Sequence, residues 1–171
     1  MVEQVTFQTL FQFLQTVGIL VGVFYYIMTL QNTRKSQQMQ LETRQAQLFW
    51  NAIDKFTSKE GLDNIKVLNY AAWSNHEEWL EKYRNDVEYN GAFMWLKDIF
   101  EGIGVSLRLG YLDIKLLAHY DTQSTIYWWE KYRDLIYNER GRRNDRRWHS
   151  EWEYLYDELM KYLEEHPELK T

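Results

Sequence analysis

The sequence predicts an all-α protein: an N-terminal transmembrane helix continuing into a stalk, then an irregular cytoplasmic helical bundle. Three observations carry this. Residues 7 to 30, FQTLFQFLQTVGILVGVFYYIMTL, contain no charged residue and no proline. The 171 residues include one proline, Pro167, and eight glycines, so the chain has few places to break a helix. No stretch shows the strict apolar–polar alternation that a half-buried strand requires. The expected organisation is an anchor over 1–30, a helical stalk over 31–56 and a helical domain over 57–171.

The anchor comes first. At 1.5 Å per residue, residues 7–30 extend about 36 Å as a helix, against roughly 30 Å of bilayer hydrocarbon. Two alternatives compete with a span. A cleaved signal peptide needs a basic start and a small-x-small cleavage site, but the only charge before the segment is Glu3, and Met28-Thr29-Leu30 offers no such site. A buried or interfacial helix is the other, because Gln8, Gln12 and Gln15 dilute the first half. Length and absence of charge favour the span. Basic residues follow it (Arg34, Lys35, Arg44) and none precede it, so the positive-inside rule puts the N-terminus outside and the remaining chain in the cytoplasm.

One side of the span differs from the rest. Gln8, Gln15, Gly22 and Thr29 recur every seven residues, with Gln12 and Gly18 close to the same line. Gly18 and Gly22 form a small-xxx-small pair that permits close helix approach. Glutamine facing lipid is costly, whereas glutamine facing a second helix exchanges hydrogen bonds. The stripe predicts self-association or docking on another membrane protein. The competing reading is a lone anchor whose glutamines reach the outer interface.

Residues 31–56 contain no helix breaker and continue the helix. Leu41, Leu48, Phe49, Ala52, Ile53 and Phe56 share an apolar face. A turn is expected at Ser58–Gly61, then helices over about 63–72 and 74–89, the second started by a Ser74–Glu77 capping box and ended by Asn90-Gly91. A helix over 92–109 ends at Gly110, and Asp113 caps a short one over 114–119. Asp121 or Ser124 starts the next, which Gly141 breaks. The last runs from about Arg147 to Glu165, before Pro167.

Composition excludes several function classes. Without cysteine there is no disulfide framework, thiolate nucleophile or Cys-ligated zinc. The net charge of −5 argues against a nucleic-acid partner. His76, His119, His149 and His166 are scattered, with no second histidine of a zincin helix near His76, so no metal and no cofactor is expected. No nucleophile elbow is visible.

Three stretches have a familiar look: FQTLFQFLQTVGILVGVFYYIMTLQNTRKSQQMQLETRQAQLF, FEGIGVSLRLGYLDIKLL and WEYLYDELMKYLEEHPE. Together they resemble a family of small, uncharacterised archaeal and bacterial membrane proteins with one N-terminal span and a helical C-terminal domain of unknown function. The resemblance implies an anchor and a helical domain. It carries no activity and no catalytic residues.

Four features remain as candidate chemistry. Glu101, inside the apolar Phe100–Gly104 stretch, is a buried acid or the partner of Lys97 or Arg108, and its flanking glycines read as packing devices. Arg140, Arg142, Arg143, Arg146 and Arg147 form a basic loop that suits anionic lipid, RNA or an acidic partner, unless Glu139, Asp145 and Glu151 neutralise it. Arg143 and His149, with five residues between them, resemble the Arg-x4–6-His motif of HEPN-type ribonucleases; that resemblance implies phosphate stabilisation by Arg143 and proton handling by His149. Tyr127, Trp128, Trp129, Trp148, Trp152, Tyr154 and Tyr156 read as core at helical spacing rather than as a ligand cage.

The resulting expectation is a non-enzymatic, single-pass membrane protein acting as an assembly or interaction subunit, with the bilayer and a second copy or another membrane protein as partners. A membrane-tethered HEPN-like ribonuclease and a small homo-oligomeric channel lined by the glutamine stripe are the alternatives.

Overall fold

The computed structural model describes residues 7–169. Those residues form seven α-helices and a closing 3-10 turn, Pro167–Leu169, with no strand among them. The chain divides into two compact units, one ending at Thr43 and one beginning at Arg44.

The described residues of the first unit are helix alone. Helix α1 (Phe7–Thr57) runs without interruption, as the lack of breakers predicts. Every described side chain up to Thr43 is exposed. The hydroxyls of Thr16, Thr29, Thr33 and Thr43 each donate to the carbonyl four residues back, at 2.8–2.9 Å. They are satisfied inside the helix and demand no outside partner.

The second unit begins with the end of α1. On the expected apolar face, Phe49 and Ile53 are buried and Ala52 and Phe56 pack against the core, while Leu41 and Leu48 stay exposed. Helix α2 (Lys59–Tyr70) starts where a turn was expected, because Ser58 caps it by accepting from the Gly61 amide at 3.0 Å. Helix α3 (His76–Tyr83) is capped by Asn75, one residue later than the expected Ser74. Ser74 instead donates from its amide and its hydroxyl to Glu78, at 2.6 and 2.5 Å.

Helix α4 (Val87–Arg108) overrides the Asn90-Gly91 break. Asp86 caps it, and the Asn90 amide group donates to the carbonyls of Tyr83, Arg84 and Asp86, tying down the preceding turn. Gly110 takes φ +73 just beyond it, the left-handed conformation that glycine adopts at least cost. Helix α5 (Ile114–Tyr120) follows its Asp113 cap. Asp121, not Ser124, caps helix α6 (Thr122–Arg143). Gly141 does not stop α6; Asn144 does, at φ 52, with the Asp145 amide closing onto the Arg140 carbonyl at 3.1 Å. Helix α7 (Ser150–Glu165) starts three residues later than expected.

Helix α4 is the hub, packed against α2 and α7, with α6 also against α7. Phe100 of α4 stacks on Trp152 of α7, ring centroids 4.9 Å apart and 10° from parallel. Gly104 makes this approach possible, since a Cβ there would overlap the Glu151 carbonyl. Trp128, Trp129 and Trp152 are buried as expected, while Tyr127 is exposed. Removing one such ring from water contributes roughly 4 kcal/mol.

Candidate functional site

Two regions hold the predicted site residues. The first is the apolar segment of α1. One window of this helix is long and apolar enough to cross a bilayer, and none of that window is buried. Phe11, Ile19, Leu20, Val21, Phe24 and Tyr25 are between 58% and 71% exposed, values that water-soluble cores do not show for a run of large apolar side chains. Gly18 and Gly22 have open space around them; a Cβ added at either would meet nothing within 4 Å. Gln8, Gln12, Gln15, Gly18, Gly22 and Thr29, the residues of the stripe, are all exposed.

The second region is the turn between α6 and α7, where the five arginines separate into two groups. Glu139 is 1% exposed, yet it is not an unpaired charge. Arg142 donates to it twice, at 2.7 and 2.5 Å, Arg143 once at 3.0 Å, and His76 of α3 lies 3.0 Å away. Hydrogen bonds from Arg142 above all, then Arg143 and His76, hold the carboxyl down at about 2, against the opposing effect of burial. Arg140 is 14% exposed and clamps the turn shut. It donates to the carbonyls of Trp148 and His149 at 2.7 and 3.0 Å and to Glu153 at 2.6 Å. Arg146 and Arg147 are exposed and form no ion pair among the described residues. Of the acids expected to meet this loop, Glu139 does. Asp145 accepts from the Arg147 amide, and Glu151 pairs with Arg108 at 2.6 Å.

Arg143 and His149 are placed for structure. The Arg143 guanidinium binds Glu139 and lies over the Trp148 ring at 4.9 Å. His149 is 5% exposed, with Phe93 edge-on and Trp148 beside it. Burial, with smaller contributions from Lys97, Arg140 and Arg143, pushes its pKa down to about 3, so the ring is neutral at physiological pH. Its Nε2 has no partner among the described residues. A proton carrier for RNA cleavage has to reach its substrate, and this imidazole faces protein.

Glu101 pairs with neither Lys97 nor Arg108. It accepts the backbone N–H of Trp152 at 2.9 Å. Helix α7 follows His149 at φ 56 and has no side-chain cap of its own, so a carboxylate from α4 caps it across the interface. Burial is the main cause that raises the pKa of Glu101, and the Trp152 amide acts against it. This role was hidden in the sequence because the capped amide lies 51 residues away. Among the described residues no group of three or more His, Cys, Asp or Glu could hold a metal.

A family model described as a domain of unknown function, DUF4760, matches residues 13–159. The chain belongs to the DUF4760 family. The DUF4760 match starts within the apolar segment of α1 and ends within α7, so it takes in parts of both units. No curated protein and no solved structure matches the chain.

Proposed function

We propose that this DUF4760 protein is a single-pass membrane protein whose helical domain serves, on the cytoplasmic side, as an assembly or interaction subunit rather than an enzyme. One observation carries the reading: a run of large apolar side chains over residues 7–30 that no other part of the described chain covers. Lipid is the environment that satisfies such a surface, because a helix pairs all its interior backbone groups internally. The basic residues after the segment support a cytoplasmic domain.

Membrane flotation of the full-length protein after carbonate washing tests this directly; recovery in the soluble fraction rejects it. Orientation is read separately. The chain lacks cysteine, so single cysteines placed at Gln4 and Asn138 report sidedness to an impermeant maleimide. Labelling of intact cells at position 4 alone is expected, and labelling at 138 alone reverses the topology.

The assembly surface is the stripe. Glutamine carries both donor and acceptor, so the same residue on a second copy can answer it. A Cβ at Gly18 or Gly22 meets nothing within 4 Å, so a larger side chain starts from open space at both positions. Gly18→Leu with Gly22→Leu is expected to lower the crosslinked oligomer in native membranes. An unchanged oligomer removes this interface.

A further inference from the structure

The second unit contains a cavity of about 340 Å³ bordered by residues of α1, α2, α4, α5 and α6. Phe56, Phe100, Tyr120, Tyr127 and Trp128 supply aromatic surface to its lining, and aliphatic side chains supply much of the rest. Its size and mostly apolar lining match small-molecule sites. Among the described residues Asp121 is the one charged residue on its wall, with no lysine, arginine or histidine, and it also borders a second cavity that His119 and Glu168 line.

The polar groups of the wall are unequal. The Thr57 and Thr125 hydroxyls donate to the carbonyls of Ile53 and Asp121, and the Tyr127 hydroxyl donates to Asn69. Asp121 Oδ1 accepts from the Ser124 amide at 3.0 Å, which caps α6. A carboxylate has two oxygens and about four acceptor positions, so the cap leaves capacity for another donor. Asp121 forms no ion pair among the described residues.

The geometry points to a binding site for an organic cation with an apolar body: its charge at the Tyr120–Asp121 end, its body against Phe56, Phe100 and Trp128. An anionic amphiphile would meet the Asp121 carboxylate with the same sign. A cation gains the carboxylate and the negative faces of aromatic rings together. Lys131 lies over Tyr127 and Trp128 at 6.0 and 5.7 Å but is held by the Leu68 carbonyl at 2.6 Å. It stands ten residues beyond Asp121 on α6, about 15 Å of helix rise, and does not line the cavity. The lining residues lie in the unit beginning at Arg44, so this inference stands apart from the membrane reading.

The test uses the full-length protein in nanodiscs, with empty nanodiscs as blank. Two probes, benzyltrimethylammonium and uncharged benzyl alcohol, are titrated by ligand-observed NMR. Asp121→Asn removes the charge while keeping a cap of equal rank. It is expected to raise the Kd of the cation about fivefold and leave benzyl alcohol unchanged. Ser124→Phe places a ring at the wall and is expected to weaken both probes. The proposal is overturned by absence of saturable binding of the cation to the wild type. It is also overturned by equal cation affinity in Asp121→Asn, by equal loss of both probes in that variant, or by undiminished binding in Ser124→Phe.

Discussion

Residues 7–30 and the helical bundle use the same kinds of side chain in opposite ways. Phe24 and Tyr25 are 66% and 71% exposed, whereas Trp129 and Trp152 are 2% and 0% exposed. In the bundle, apolar surface is covered by this chain's own rings, and the buried carboxylate of Glu139 is paired by neighbouring cations. Over residues 7–30 the described apolar side chains are left exposed. One unit covers its own large apolar side chains, whereas the described apolar side chains of the other stay exposed. Hydrophobic burial is the same force in both; what differs is who supplies the cover.

The largest expected effect comes from charging the apolar segment. Leu20→Arg with Phe24→Arg adds about 2.5–3.5 kcal/mol of insertion cost per arginine. Membrane retention by flotation is expected to fall sharply, while the near-ultraviolet circular dichroism of the bundle stays unchanged. Loss of both signals would mean the units are not separable in this way. The converse is Trp152→Ala, which removes the ring stacked on Phe100. A loss of about 3–5 kcal/mol in denaturant unfolding of the bundle is expected, with membrane retention intact.

Arg140→Ala opens the clamp on the α6–α7 turn, with an expected cost of about 2 kcal/mol. Arg140→Lys recovers only part of it, because an ammonium cannot reproduce the planar fork that reaches three acceptors. Acid unfolding sharpens the same contrast. His149 has its pKa lowered to about 3 from 6.5, so its contribution is complete above 6.5 and is lost as pH falls toward 3. Glu139, lowered to about 2 from 4.5, contributes above 4.5 and loses that contribution as pH falls through 2. Stability of the bundle is therefore expected to decline from about pH 6.5 downward, and His149→Asn to flatten the slope between 6.5 and 4.5, measured by thermal unfolding at stepped pH. Asparagine suits the positive φ at that position. The smallest effect belongs to the cap. Glu101→Ala is expected to cost about 1 kcal/mol of bundle stability, while Glu101→Gln, which can still accept from the Trp152 amide, leaves it near wild type.

The helical class, the unbroken α1, the Asp113 cap and the apolar segment were legible in the sequence, which narrowed the cap of α6 to Asp121 or Ser124. Each depends on residues within a turn or two of one another, where periodicity and capping chemistry are local. It started α3 from Ser74, where Asn75 takes the cap, set a break at Asn90-Gly91 that lies inside α4, and let Gly141 stop a helix that Asn144 stops. Only the tertiary structure decided that Glu101 caps α7, that Arg140 is a clamp, that His149 is enclosed and that Asp121 borders a cavity. Those facts join side chains or walls from different helices, and helix packing fixes which distant groups meet. A charge pattern along one chain is compatible with many such pairings; the interlocking of α4, α6 and α7 selects one.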